Sequence, residues 1–332
     1  MARTDTLGNF LTDVADSIRE KKGTSEPILA SDFDTEIASI ESGEDLSEYF
    51  NTTLTIDTTS SSSTSMTANV LKKLPDITVA NTVTSLNGAF YTSPLTTFPK
   101  ITFGSNITDL SQMYGSCNKA TSIDTSGFNT SGVTDFGDMF SQCTQITTIP
   151  VANFNTSSGE KFYSMFSGCS NLTTIPVENW NTSSAINFNS MFSNCRSLTS
   201  LNLSNWTTST VQYFQGMFSN CQAIRTINAS SFTSESANNV QQMFYYCRAL
   251  ENVDLRNFER NNITSIQQMF YYCYSLQHLD MRKFEFSGLT TSTNAFLTVP
   301  ADCEIIVKDD TEKQWFATNF SNLTNVKTVA EL

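Results

Sequence analysis

The chain has 332 residues, of which 39% are hydrophobic and 15% charged. Its 25 Phe are too many for a disordered chain. The 32 acids against 19 bases give a net charge of −13, which argues against a phosphate-backbone binder, because that needs a basic footprint. There is no run of about 18 apolar residues, so membrane insertion is not expected.

The acidity is concentrated at the start. Residues 1–50 hold 12 acids and 4 bases, a net of −8, whereas residues 111–300 hold 11 acids and 9 bases, a net of −2. That asymmetry marks the N-terminal segment as a separate unit. Met1 to Phe10 lacks the charged-then-apolar start of an export signal, which argues against Sec export. Leu7, Phe10, Leu11, Val14 and Ile18 form one apolar helical stripe, and Gly23 can end that helix. Ser31 and Asp34 look like a capping box ahead of a second short helix bearing Phe33, Ile37 and Ile40. Residues 1–45 therefore read as a small helical hairpin for attachment. A segment of about 40 residues cannot bury enough surface to stand alone. It packs on the first coil or docks onto a partner. Residues 46–85, with the Ser/Thr-rich run Thr58 to Thr67, read as a connector and the N-terminal edge of a repeat array.

Residues 86–300 are periodic. Cys117, Cys143, Cys169, Cys195, Cys221, Cys247 and Cys273 are each 26 residues apart, and each follows a Met by four. Leu or Ile occurs three and six residues after most of these cysteines, and Phe or Trp eleven after. Seven matching registers define a solenoid. Within a coil, Leu198-Thr-Ser-Leu201-Asn-Leu203 reads as a short parallel strand. Phe214, Met217, Phe218 and Cys221, at i, i+3, i+4 and i+7, read as the buried face of a short helical segment. Leu86 to Ser93 and Thr293 to Val299 are degenerate copies, giving seven full repeats and two edge repeats. Residues 301–332 read as an α/β cap: a strand over Glu304–Lys308, a helix over Asp309–Phe320 and a last strand over Val326–Val329.

The segment LTSLNLSNWTTSTVQYFQGMFSNC resembles the 26-residue BspA-type leucine-rich repeats of bacterial surface proteins. The resemblance covers roughly residues 80–300 and implies a leucine-rich-repeat solenoid. The flanks, Leu11 to Thr24 and Ile306 to Trp315, resemble tail-associated proteins of phages of Gram-positive bacteria. That resemblance implies a virion protein made in the host cytoplasm.

Little in the sequence points to catalysis. The cysteines lack C-x-x-C spacing and read as buried, reduced thiols rather than a disulfide or zinc framework. His278 precedes Leu279 in a strand and points outward. Asp254 and Asp280 are equivalent positions of adjacent coils, which the repeat itself explains. No phosphate-loop or dinucleotide motif occurs, so no cofactor and no enzyme activity are expected.

One surface position breaks the pattern. After Met-Phe most coils carry small or amide residues, such as Ser141-Gln142 and Ser219-Asn220. The last two full coils carry Tyr245-Tyr246 and Tyr271-Tyr272, with Arg248 and Tyr274 just after the Cys. Tyr and Arg dominate binding hot spots, so these six are the candidate ligand contacts. The competing reading is that they simply stack along the array. The expected function is a structural phage virion protein, a tail-fibre or tail-tip receptor-binding component. Its expected partners are tail or baseplate proteins at the N-terminus and a host-surface polysaccharide or protein. A homo-oligomer, by analogy a trimer, is expected. The alternative is a bacterial cell-surface leucine-rich-repeat adhesin, and a third reading is a glycan-cleaving tailspike.

Overall fold

A computed structural model describes residues 54–56 and 76–332 of the chain. The expected hairpin over 1–45, with Leu7, Phe10, Leu11, Val14 and Ile18, lies outside the described residues.

The coils stack in parallel. Strands β1 (Leu54–Ile56), β2 (Ile77–Val79) and β3 (Ile101–Thr102) form one sheet. A second, six-stranded sheet runs in chain order through β4 (Ser200–Asn202), β5 (Thr226–Asn228), β6 (Asn252–Asp254), β7 (His278–Asp280), β8 (Glu304–Val307) and β9 (Val326–Thr328). Between the sheets only isolated parallel bridges remain, such as Thr148↔Thr174. Pro150 and Pro176 occupy the strand position that Asn202 and Asn228 hold later. A proline has no N–H to give a ladder, so these coils touch without forming a strand.

The second segment of each coil is not helical, which corrects the sequence expectation. In the coil of Cys143, the N–H groups of Met139, Ser141 and Cys143 donate three residues back, to Phe136, Asp138 and Phe140, at 3.3, 3.0 and 3.2 Å. The alternating N–H groups of Phe136, Asp138, Phe140 and Gln142 donate instead to the next coil, at the carbonyls of Lys161, Tyr163, Met165 and Ser167, at 2.7–2.9 Å. Two left-handed residues per coil produce this alternation: Asp138 at φ 54° and Gln142 at φ 61°. The segment is a run of tight turns, some with the positive φ at the third residue that marks type II. A helix would direct every N–H after its first turn back along its own coil. The turns leave half of them to tie adjacent coils together.

The apolar face is nevertheless the expected one. Phe136, Met139, Phe140 and Cys143 are all buried. Nine rings form one column: Phe90, Tyr114, Phe140, Phe166, Phe192, Phe218, Phe244, Phe270 and Phe296. Their centroids are 5.1–5.8 Å apart and no interplanar angle exceeds 18°. Nine rings match the seven full and two degenerate repeats.

The C-terminal residues close the stack. β8 continues the sheet beside β7, pairing Leu279 with Ile305. Helix α1 (Asp310–Asn319) starts at Asp309, whose carboxylate accepts from the N–H groups of Thr311 and Glu312. Phe316 packs edge-on to Phe286, with centroids 4.8 Å apart. The buried Glu312 carboxylate accepts from the N–H groups of Phe286 and Ser287, at 2.7 and 2.9 Å, and from the Ser287 hydroxyl at 2.8 Å. The cap thus satisfies donors that a tenth coil would otherwise take.

All eight cysteines are free and buried. Each of the seven in register donates its thiol to the carbonyl of the preceding coil's ring residue; Cys169 Sγ lies 3.1 Å from the Phe140 oxygen. Burial pushes the thiols of Cys117, Cys169, Cys221 and Cys303 from 9.0 up to about 12. A thiol whose folded pKa is raised favours the fold fully below its unfolded value. That contribution is lost as pH rises toward the folded value. The thermal midpoint is therefore expected to show no thiol-dependent fall up to pH 9, and to fall between pH 9 and 12. A thiol reagent at neutral pH should modify none of the eight cysteines in the folded chain and all of them in denaturant. Rapid modification of the folded chain would contradict the buried column.

Candidate functional site: a tyrosine cluster on the last two full coils

The residue before each of the seven cysteines in register is left-handed, and so is Thr92 before Ser93 in the first coil. Thr92, Ser116, Gln142, Gly168, Asn194, Asn220, Tyr246 and Tyr272 have φ between 60° and 76°. Gly and Asn suit this conformation, whereas a bulky side chain there is an outlier. In the middle of the array the position carries an amide ladder, in which Asn220 Nδ2 donates to Asn194 Oδ1 at 2.5 Å. In the next two coils the ladder gives way to aromatic rings.

The structure brings all six sequence-predicted contacts together. Tyr271 and Tyr272 stack at 3.9 Å between centroids. Tyr246 meets Tyr272 edge-on at 5.0 Å, and Tyr245 meets Tyr272 edge-on at 5.9 Å. Tyr274, 50% exposed, lies 5.7 Å from Tyr272. The Arg248 guanidinium sits 4.3 Å from the Tyr246 ring centroid and donates to the Tyr246 hydroxyl. The hydrogen bond with Tyr272 pushes the Tyr271 phenol above its usual value. Apart from the exposed Tyr274 and Arg248, the cluster is half-buried and keeps ring surface and hydroxyls in contact with solvent. It offers ring faces, phenolic hydroxyls and one cation. These are the groups that hold sugar rings or peptide segments.

The other polar residues singled out in the sequence have partners. Arg256 holds the Asp254 carboxylate with Nε, 2.9 Å from each oxygen, and Arg282 holds Asp280 likewise at 3.0 and 3.1 Å. Hydrogen bonds from Arg256 outweigh desolvation and keep the Asp254 pKa below its usual value. His278 lies on the outer side of β7 and its Nδ1 is 2.8 Å from Glu304 Oε2. Among the described residues, no group of three or more His, Cys, Asp and Glu is placed to hold a metal ion. No helix among them is long and apolar enough to cross a membrane.

The departure from small residues made the tyrosines visible in the sequence. The strained backbone beneath two of them was not visible, because the hydrophobic period is the same in a helix and in this run of turns. Gly168 and Gly216, at two of the left-handed positions, were the available signal.

These features define a parallel, 26-residue-repeat solenoid with an aromatic surface cluster near its C-terminal end. The chain belongs to the family described as "Mycoplasma protein of unknown function, DUF285", whose model matches residues 108–229 and 199–304. A search of the curated proteins found no match. Among solved structures, it is similar to a leucine rich cell surface protein from Faecalibacterium prausnitzii A2-165, at 16% identity and a TM-score of 0.36, covering 83% of each chain. It is also similar to a leucine-rich repeat protein from Bacteroides ovatus ATCC 8483, at 14% identity and a TM-score of 0.27, covering 78% of this chain and 86% of the other.

Proposed function

We propose that the chain is a non-catalytic recognition protein of the adhesin kind, in which the stacked coils are a rigid support and the tyrosine cluster binds a surface-displayed glycan or protein. The observation that carries this reading is the left-handed backbone at Tyr246 and Tyr272, with φ of 62° and 66°. Strain of this kind persists where the surroundings hold it and gathers at ligand sites. The earlier coils use Gly, Asn, Gln, Ser or Thr there, so stacking the array does not call for an aromatic. A cell-surface setting agrees with the resemblance of the repeat to BspA-type proteins of bacterial surfaces. The virion setting rests on the flanks, and the N-terminal one lies outside the described residues.

The test is binding of the labelled full chain to an array of bacterial and mucosal glycans and immobilised matrix proteins. The expected result is retention on a defined subset, with protection of residues 245–274 from hydrogen exchange when the ligand is added. Retention on nothing, or protection elsewhere only, overturns the reading. Antibody labelling of producing cells and of purified phage particles separates the two settings.

A further inference from the structure

A groove of about 300 Å³ lies beside the last coils, lined by Glu259, Arg260, Asn261, Arg282, Lys283, Glu285 and Lys308. Three of its four cations already have a carboxylate. Arg282 pairs with Asp280 at 2.6 Å, Lys308 with Glu285 at 2.6 Å and Lys283 with Glu259 at 3.7 Å. Arg260 has no ion pair within 4 Å among the described residues. Its Nε is buried without a hydrogen-bond partner, and its Nη1 reaches only the Ile263 carbonyl at 3.5 Å.

Arg260 also departs from the repeat. The position thirteen residues after the cysteine is Thr130, Thr156, Thr182, Thr208 and Ser234 in the preceding coils. Each of those hydroxyls is buried and donates to a carbonyl of the following coil, as Thr208 does to Thr233 at 2.7 Å. The array therefore stacks well on a small hydroxyl, and Arg260 discards that bond.

The next coil makes room for the guanidinium. Gly288 stands where five earlier coils carry Ser158, Ser184, Thr210, Ser236 and Asn262; one other carries Gly132, where a Cβ would instead meet the Ser105 carbonyl oxygen at 2.2 Å. A Cβ at 288 would lie 2.2 Å from Arg260 Nη2. Backbone conformation does not call for this glycine, since among the described residues the glycines with positive φ are Gly88, Gly168 and Gly216. Its role is the close approach of the guanidinium.

We propose that this groove binds an acidic saccharide, with Arg260 as the fork that takes its carboxylate or sulfate. A planar guanidinium with free donors matches a two-oxygen anion. The Glu259 and Glu285 carboxylates would repel a bare anion, but they are acceptors for sugar hydroxyls, and Asn261 supplies both functions. The volume falls within the range of small-ligand sites. This inference does not rest on the tyrosine cluster, which is a separate set of residues.

The test is titration of the full chain with glucuronate, glucose and inorganic sulfate at constant ionic strength, read by calorimetry. Glucuronate is expected to bind, and glucose roughly tenfold or more weaker, because the ion-assisted hydrogen bonds are lost. Arg260→Thr restores the residue of the earlier coils, so it should keep the thermal midpoint and lower glucuronate affinity by about tenfold. Gly288→Ser keeps every charge and should weaken binding as well, by pushing the guanidinium aside. Equal affinity for glucose and glucuronate, or wild-type affinity in either variant, overturns the proposal. Sulfate binding as tightly as glucuronate overturns the saccharide part and leaves a simple anion site.

Discussion

Trp206→Ala should lower the stability of the solenoid by about 3–5 kcal/mol, the cost of deleting a buried large aromatic. Trp206 is 1% exposed and stacks on Trp180, with centroids 6.2 Å apart and planes 4° from parallel. It also packs against Phe188 at 5.1 Å and Phe232 at 6.4 Å. Its indole N–H donates to the Val177 carbonyl at 2.9 Å, across the coil boundary. The variant loses ring contacts on both sides and leaves that carbonyl without its donor. Each coil touches only its neighbours, so a cavity in the middle weakens the coupling between the two halves. In urea the midpoint should fall by roughly 1–2 M, with a shallower slope if the halves melt separately. Trp206→Phe introduces the residue of Phe154 and Phe232 in the same column, and should cost only about 1–2 kcal/mol. Equal stability of Trp206→Ala and wild type would contradict the stacked-column account.

The period was legible because burial repeats it. A position that faces the core in one coil faces it in all, so Met, Cys and Phe recur every 26 residues. The cap was legible for the same kind of reason: Asp309 begins a helix and Glu304 to Val307 is a short apolar strand beside it. The helical reading of the Met-Phe segment failed because side-chain pattern does not report carbonyl direction. Phe136, Met139, Phe140 and Cys143 face inward in either conformation. What separates them is whether Gln142 sends its N–H along its own coil or to the Ser167 carbonyl, and it does the latter at 2.7 Å. The strand read at Leu198 to Leu203 does not recur in the coils of Pro150 and Pro176, where proline removes a ladder donor. In the candidate site, residue type alone marked Tyr245, Tyr246, Tyr271, Tyr272, Tyr274 and Arg248. The conformation that distinguishes Tyr246 and Tyr272 from the other four came only from the backbone. Arg260 was visible as a basic residue of these coils, but its pairing with Gly288 crosses 28 positions and required the stacked coils to be seen.

The second large effect is on binding. Tyr246 and Tyr272 meet edge-on at 5.0 Å and share Tyr245 as a neighbour, so their contributions are coupled and are best removed together. Asn is the natural replacement, because Asn194 and Asn220 hold the same left-handed position with φ of 61° and 62°. Two effects on stability oppose each other. Asn relieves backbone strain worth about 1 kcal/mol per site, while each lost ring pair costs about 0.5–1.5 kcal/mol. Two sites are relieved and five ring pairs are lost, so the losses win, and the thermal midpoint should fall by a few degrees without unfolding the array. Binding has no such compensation. Loss of a central aromatic contact costs about 2 kcal/mol or more, or roughly thirtyfold in affinity.

The most direct measurement is therefore the thermal midpoint and the ligand affinity of the full-length double variant Tyr246→Asn, Tyr272→Asn, taken side by side with wild type. A midpoint lowered by no more than a few degrees, with affinity reduced by about thirtyfold or more, is the expected result. Undiminished affinity in the folded variant, or a collapse of the midpoint, would contradict it, the first by removing the tyrosines from the binding surface and the second by making them part of the stack.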